Sequence, residues 1–321
     1  MRILITGGFG FIGGRLGQYL QQNGHQVILG SRKASCPPEW LPHAEVAQID
    51  WSDSRALKQI CSRVDVVIQA AGMNAQDCAS DPVAALEFNG LVTARLVAAA
   101  SRVGVKRFIY LSTAHVYASP LVGTITEETC PRNLHPYATS HLAGEHAVLS
   151  ANQRGQIEGI VLRLSNAFGA PVHKDVNCWM LLVNDLCKQA VQTRKLVLQT
   201  SGLQQRDFIG MPEVCRVAEH LAVGNGSSTQ PSIFNVGSGV SQSVLAMAQS
   251  IQQRCAQVLG FEPVLQRVQG EADEPPRMLS YLVDNLAALG IKSDFLENLA
   301  EIDNLLRFCQ STLPQAQSLV A

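Results

Sequence analysis

Three glycines near the start of the chain constrain its fold more than any other feature. Gly7, Gly10 and Gly13 follow a β-branched run, Arg2 to Thr6, and open an amphipathic stretch, Phe11 to Gln22. A strand that turns this sharply into a helix needs residues without a β-carbon. The same turn lets a pyrophosphate approach the backbone. The first helical N–H groups, around Phe11 and Ile12, meet it with unpaired donors and the positive end of the helix dipole. Glycine spacing alone is a weak signal, but its place between a strand and a helix predicts a dinucleotide site.

Downstream, short apolar runs alternate with longer helical patterns. Gln26 to Gly30, Glu45 to Asp50, Asp65 to Ala70, Lys106 to Ser112 and Ile157 to Leu164 read as strands. Ser52 to Ser62, Pro82 to Val103 and Pro136 to Gln153 read as helices, the second entered through Asp81 as N-cap before Pro82. Contiguous apolar strands suit a parallel sheet buried on both faces, and strand–helix alternation gives right-handed crossovers. The expected fold class is therefore α/β, a doubly wound parallel sheet of the Rossmann type. With 321 residues, 46% of them hydrophobic, the chain can bury a large core. The alternation loosens after about Ala170. This places a dinucleotide-binding domain at 1–169, drawing also on parts of 205–260, and a smaller C-terminal substrate-binding lobe at 170–321. The helical patterns Met211 to Val223 and Ser241 to Leu259 are expected to pack on the sheet.

Ligands of such sheets lie over the carboxyl ends of the strands. The second strand ends at Ser31, Arg32 and Lys33. An acidic residue there would hold the ribose hydroxyls of NAD, whereas a hydroxyl and two cations suit a 2′-phosphate, so NADP is favoured over NAD. Asp50 and Trp51 close the third strand, with Asp50 placed to meet an adenine amino group. Ala70, Ala71 and Gly72 close the fourth and are small enough to admit the cofactor backbone.

Other classes are disfavoured. A net charge of −1 with both signs interspersed leaves no basic footprint for nucleic acid. Nine cysteines at irregular spacing, with no C-x-x-C pair, argue against a disulfide framework and against a metal site, and read as reduced thiols. Gly7 and Gly8 interrupt the apolar start too early for a secretory signal. No stretch is expected to span a bilayer, so no membrane partner is expected and the cytoplasm is the expected location.

The fifth strand delivers Ser112 and Thr113 to the carboxyl edge, and Tyr137 lies near a helix start with His141 at i+4 on the same face. A phenol there can exchange a proton with a carbinol oxygen while hydride moves to or from nicotinamide. To act as a base at neutral pH its pKa must fall by about three units, roughly 4 kcal/mol, which a nearby cation can supply.

Gly7 to Gly13, Asp65 to Gly72, Leu111 to Tyr117, Tyr137 to Glu145, Arg163 to Gly169 and Arg206-Asp207-Phe208 occur in the order found in extended short-chain dehydrogenases/reductases. The chain resembles that family over nearly its whole length, with sugar-nucleotide epimerases, dehydratases and reductases as its best-known members. The resemblance implies Tyr137 as general acid/base and Thr113 as the hydroxyl bonded to the reacting oxygen, with Ser112 its neighbour. It implies Asn166 beside a sugar diphosphate, Arg206 as a phosphate ligand and Arg277 as a second one. It also implies a homodimer formed through the helices at Pro82 to Val103 and Pro136 to Gln153.

One position departs from the pattern. The family motif is Tyr-x-x-x-Lys, and here His141 stands in place of the lysine, which normally bonds the nicotinamide ribose and lowers the tyrosine pKa. Three readings follow: a charged His141 partly replaces the lysine, another cation fills the gap, or hydride chemistry is lost and the protein is a dinucleotide sensor. Where the family's dehydratases carry an Asp-Glu pair after the Ser/Thr, this chain has Ala114 and His115, so the expected reaction is epimerisation or reduction of a nucleotide-activated sugar. A reductase of a non-sugar ketone is the further enzyme alternative; Asn166 and Arg206, which suit a diphosphate, speak against it.

Overall fold

The computed structural model describes residues 1–224, 231–268 and 277–313. In chain order the first elements are β1 (Arg2–Thr6), α1 (Phe11–Gln22), β2 (Gln26–Ser31), β3 (Glu45–Gln48), α2 (Ser54–Cys61) and β4 (Val66–Gln69). Next come α3 (Ala75–Ser80), α4 (Pro82–Ala85), a π-helical segment (Leu86–Val92), α5 (Thr93–Arg102) and β5 (Arg107–Thr113). They are followed by β6 (Gly123–Ile125), α6 (Pro136–Gln153), β7 (Glu158–Leu164), β8 (Asn166–Phe168), α7 (Leu182–Thr193) and β9 (Lys195–Leu198). The remainder is β10 (Gln205–Gly210), α8 (Met211–Val223), β11 (Ile233–Val236), β12 (Ser241–Ser243), α9 (Val244–Leu259), β13 (Val264–Arg267), β14 (Leu279–Tyr281), α10 (Asp284–Ala288) and α11 (Phe295–Thr312).

A seven-stranded sheet runs in the order β11-β7-β5-β4-β1-β2-β3. Every pairing in it is parallel. The period of two along each strand sorts the apolar side chains. Ile3, Ile5, Val66 and Ile68 enter the layer shared with α1 and α8, where Leu16, Leu20, Val214, Val217 and Leu221 are buried. Leu4, Val67, Phe108 and Tyr110 enter the opposite layer, with Leu57 of α2, Leu96 and Val97 of α5 and Val148 and Ala151 of α6. The doubly wound architecture expected from the alternation is what the chain adopts. A third core, built from α7, α9 and α11 around Leu186, Met247, Ile251 and Leu305, underlies the residues that follow the sheet.

The chain leaves β1 toward β2 and β3, then crosses back to β4 on the other side of β1. Strand order reverses at the β1–β4 seam, which opens a crevice at its carboxyl end. Gly7 sits in that seam with φ +64°, and a β-carbon on it would lie 2.9 Å from the Ala71 backbone.

Two expected helices differ in structure. Pro82 to Val103 is not one α-helix. Asp81 caps its start, accepting from the Ala84 N–H at 2.9 Å, but Leu86–Val92 is wound as a π-helix. The widened turn seats Asn89, 1% exposed, and Gly90 against α6, where a β-carbon on Gly90 would meet that of Ala143 at 3.1 Å. This stretch, Pro82–Arg102, is also long and apolar enough to cross a bilayer, with mean hydropathy 1.4, contrary to the sequence expectation. Half of that window is buried inside the fold. The other difference is at Ser241: residues 241–243 pair with β10 as strand β12, and the helix starts only where Ser243 Oγ accepts from the Ala246 N–H.

Candidate active site

The crevice over the sheet edge continues toward α7 as one cleft of about 1220 Å³. Its first half is made by the glycine turn. Gly10 precedes α1 without any side-chain cap, so the first N–H groups of Phe11, Ile12 and Gly13 lack the usual side-chain partner. Thr6, at the end of β1, shapes the facing wall. Its hydroxyl donates to Gln69 Oε1 at 2.7 Å and accepts from the Ala70 and Ala71 N–H groups at 3.2 Å each. The Met73 N–H donates to Asn89 Oδ1 at 2.9 Å, which fixes the turn beyond Gly72.

Gly7, Gly10, Phe11, Ile12, Gly13, Ser31, Arg32, Lys33, Trp51, Ala70, Ala71 and Gly72 all line this half. Arg32 and Lys33 are exposed at its rim. Trp51 Nε1 is buried and has no hydrogen-bond partner among the described residues. Asp50 is not brought to the wall: it is exposed, and its Oδ1 accepts from the Ser52 N–H and hydroxyl at 2.9 and 2.6 Å. The strand stops at Gln48, and the short turn that follows sends this carboxylate outward. Uncapped donors, a turn with no room for side chains and an orphaned indole N–H fit a dinucleotide laid across the seam.

The middle of the cleft holds the expected hydroxyls. Thr113 ends β5, 5% exposed, and its Oγ1 accepts from the His115 N–H at 3.1 Å. Tyr137 enters on the first turn of α6, held by Pro136 at N1 and by His135 Nδ1, which accepts the Tyr137 N–H at 3.1 Å. Burial pushes the Tyr137 phenol above its ordinary pKa, and the Thr113 hydroxyl beside it pulls partly back by hydrogen bonding. Among the described residues no cation acts on it.

Two residues of the sequence reading take other roles. Ser112 touches the cleft, but its hydroxyl points into the core and donates to Glu145 Oε1 at 2.5 Å. Glu145 also accepts from Arg163 Nη2 at 2.6 Å, and the Arg163 guanidinium stacks over the Tyr117 ring at 4.7 Å. Ser112 is thus the end of a buried ionic network that braces the floor under Thr113. His141 is 6% exposed, and burial pushes its pKa down to about 4. It is therefore a neutral imidazole, not the cation that the lysine of the family motif supplies. Its ring lies edge-on to Tyr137, with centroids 4.6 Å apart and planes at 67°.

In the far half, Asn166 lines the wall on β8 and its Nδ2 donates to the Asp207 carbonyl at 2.8 Å. Arg206 stands on β10, partly buried and outside the wall. Its neighbour Asp207 does not pair with it, because that carboxylate accepts from the Ser238 N–H and hydroxyl at 2.9 Å each. Burial depresses the Arg206 pKa, and its charge, after burial itself, lowers that of His115. Arg277 is exposed and lies outside the wall. Sequence reasoning missed His115, Asn177, Cys178 and Phe208 as wall residues, and Tyr110, Asn89, Glu145 and Arg163 as their supports. A polar residue inside an apolar helix, such as Asn89, was the one signal available for the supports. Among the described residues no cluster of His, Cys, Asp or Glu could hold a metal ion.

Comparison with known proteins agrees with this geometry. The family model described as "NAD dependent epimerase/dehydratase family" matches residues 3–237. A dTDP-6-deoxy-L-talose 4-dehydrogenase (NAD(P)(+)) of Kitasatospora kifunensis is 33% identical over 249 residues, covering 74% of each chain. A dTDP-D-glucose 4,6-dehydratase of Mus musculus is 27% identical over 266 residues, 78% of this chain and 72% of that one. The fold is that of the UDP-glucose 4-epimerase of Thermotoga maritima solved with UDP-glucose, at TM-score 0.78 and 22% identity over 98% of this chain and 100% of the other. With its glycine turn at the strand-order reversal and a Thr–Tyr pair over the same sheet edge, this chain is an enzyme belonging to the NAD-dependent epimerase/dehydratase family.

Proposed function

We propose that this enzyme uses NADP(H), in preference to NAD(H), to transfer hydride at a carbinol or ketone carbon of a nucleotide-activated sugar, as an epimerase or a reductase. The observation that carries the reading is the convergence of Tyr137 and Thr113 in the cleft that the glycine turn opens. When bound, the nicotinamide ring gives or takes the hydride. Thr113 Oγ1 donates a hydrogen bond to the reacting oxygen and orients it. Tyr137 exchanges the proton of that oxygen, a contribution of about 10²–10⁴ in rate.

Arg32 and Lys33 at the rim, with no acidic residue beside them, support the preference for a 2′-phosphate. Asn166 and His115 line the far half, and the desolvated Arg206 guanidinium acts on His115 from behind the wall; with no acidic partner for Arg206 among the described residues, this supports a diphosphate there. Ala114 and His115 supply no pair of carboxyl groups beside Thr113, which disfavours dehydration. Val83 and Leu86, 70% and 53% exposed, form an apolar strip beside α6 that supports a homodimer there, testable by sedimentation.

The test is turnover. NADPH is mixed with a panel of nucleotide 4-keto sugars, and the absorbance of the reduced ring is followed. Consumption with one member, abolished in Tyr137→Phe while NADPH still binds, is the expected result. Tight NADPH binding without turnover of any member would favour a sensor instead.

A further inference from the structure

The replacement of the motif lysine by histidine raises a question of hydrogen positions that the packing around His141 answers. Nδ1 lies 3.0 Å from the Tyr110 hydroxyl. Tyr110 is on β5, 1% exposed, and its phenol is pushed well above its ordinary pKa by burial, so it keeps its single proton. Three groups beside it could accept: His141 Nδ1, the nearest at 3.0 Å, the Asn89 carbonyl, and the Thr93 hydroxyl, which is itself spent as a donor to that carbonyl. The carbonyl is at 3.5 Å, the edge of hydrogen-bonding range, and already accepts from the Thr93 hydroxyl at 2.7 Å. The Tyr110 proton therefore goes to Nδ1, and a neutral imidazole that accepts at Nδ1 carries its own proton on Nε2.

His141 lines the cleft opposite Gly72. A β-carbon on Gly72 would stand 3.7 Å from the ring's Cε1 and 3.8 Å from its Nε2, so this edge of the ring, and not Nδ1, is turned to the wall. Resting on the NADP(H) reading above, we propose that Tyr110 is a positioning residue that locks His141 into the neutral Nε2–H tautomer, offering the cofactor's ribose a single uncharged donor, and that Tyr137 consequently serves as the proton donor of a ketone reductase.

The second half follows from the groups around the pair. Besides Tyr110 and Tyr137, the titratable neighbours are Cys78 and Glu145. The Cys78 thiol is pushed up by burial and stays neutral, and Glu145 is committed to Arg163 and Ser112. None is a cation. Oxidising a carbinol needs the Tyr137 phenolate, which no charge here stabilises before the cofactor arrives. Reducing a ketone needs the neutral phenol, which is the state the site holds: hydride passes from the reduced nicotinamide to the carbonyl carbon, and the phenolic proton passes to the oxygen.

The tautomer is read in the free protein by long-range ¹H–¹⁵N correlation, with the His141 signals assigned by their loss in His141→Gln. The expected spectrum shows a proton on Nε2 and a bare Nδ1 from pH 6 to 8, and a mixture of tautomers in Tyr110→Phe. A proton on Nδ1, a doubly protonated ring at pH 6, or an unchanged ring in Tyr110→Phe overturns the lock. NADPH affinity, followed by cofactor fluorescence, is expected to fall about tenfold or more in His141→Leu and to stay within about threefold in His141→Gln, which keeps an N–H near the Nε2 position. Equal affinity in the two variants overturns the donor role, and this pair decides even where Tyr110→Phe does not fold. The proton-donor role is read with ¹³C-labelled tyrosine: the Tyr137 phenol is expected to stay protonated to pH 9 and to titrate at least one unit lower in His141→Lys. Ionisation of wild-type Tyr137 below pH 8 overturns it. Failure of wild type to bind NADPH would remove the functional reading while leaving the tautomer result intact.

Discussion

Gly13→Ala tests the glycine turn most directly. Gly13 lies inside α1, where alanine would by propensity favour the helix by about 0.8–1.0 kcal/mol. Its β-carbon, however, would stand 2.2 Å from the Gly7 carbonyl oxygen and 2.8 Å from the carbonyl carbon. Reaching ordinary contact at 3.4 Å requires a shift of about 1.2 Å, and both partners are backbone. Overpacking of this kind costs about 1–3 kcal/mol, so the net loss of stability is small, about 0–2 kcal/mol. The damage to binding is larger, because the helix start must move away from the turn and its N–H groups diverge. A loss of only 1.4 kcal/mol in those bonds raises Kd about tenfold, and displacements near 1 Å reach about 10²-fold. NADPH titration by fluorescence, with a thermal melt to show that the variant is folded, should give Gly13→Ala a Kd at least about tenfold above wild type. Wild-type affinity in Gly13→Ala would show that the cofactor phosphates do not sit on this turn.

Three further outcomes follow from the same geometry. The double variant Arg32→Ala/Lys33→Ala should lower the ratio of NADP to NAD affinity by about ten- to a hundredfold with little effect on NAD, and an unchanged ratio refutes their role at the 2′-phosphate. Arg163→Met leaves Glu145, 0% exposed, without its ion-pair partner and should cost about 3–5 kcal/mol in urea unfolding, while Arg163→Met/Glu145→Leu recovers most of it; equal losses in both would mean that the pair is not desolvated. Glu213, 3% exposed at the start of α8, is pushed up to about 7 by burial, its Ser293 bond only partly opposing. Its folded pKa exceeds its unfolded one, so the folded state holds the extra proton and stability declines as pH rises from about 4.5 to 7, by on the order of 3 kcal/mol. Glu213→Gln should flatten that decline, and identical pH–stability curves would refute it.

What the sequence made legible follows the range of the interactions involved. The bounds of α1, α6 and α8 and the start of β1 are written in local pattern: a glycine turn, a Pro at N1, and a period that changes from two to near four. The Thr113–Tyr137 pairing was legible because each residue sits at an element end whose place over the sheet edge is set by topology. Asp50 stands outside the lined wall because the last residues of a strand run can turn outward, and only the Ser52 bonds reveal that it does. Arg277 was beyond reach for a similar reason, since its segment has no periodicity to place it. The π-helix at Leu86–Val92 has no local signature either; it exists because Asn89 must reach both Met73 and Ser140 while Gly90 admits Ala143. The charge on His141 was the hardest feature to read. Spacing set it one turn from Tyr137 and left its ionisation open, whereas burial beside the Tyr110 hydroxyl, 31 residues away in sequence, pushes it toward the neutral ring. A catalytic motif therefore reports which groups meet, and its protonation states belong to the layer behind it, where Tyr110, Asn89 and Glu145 stand.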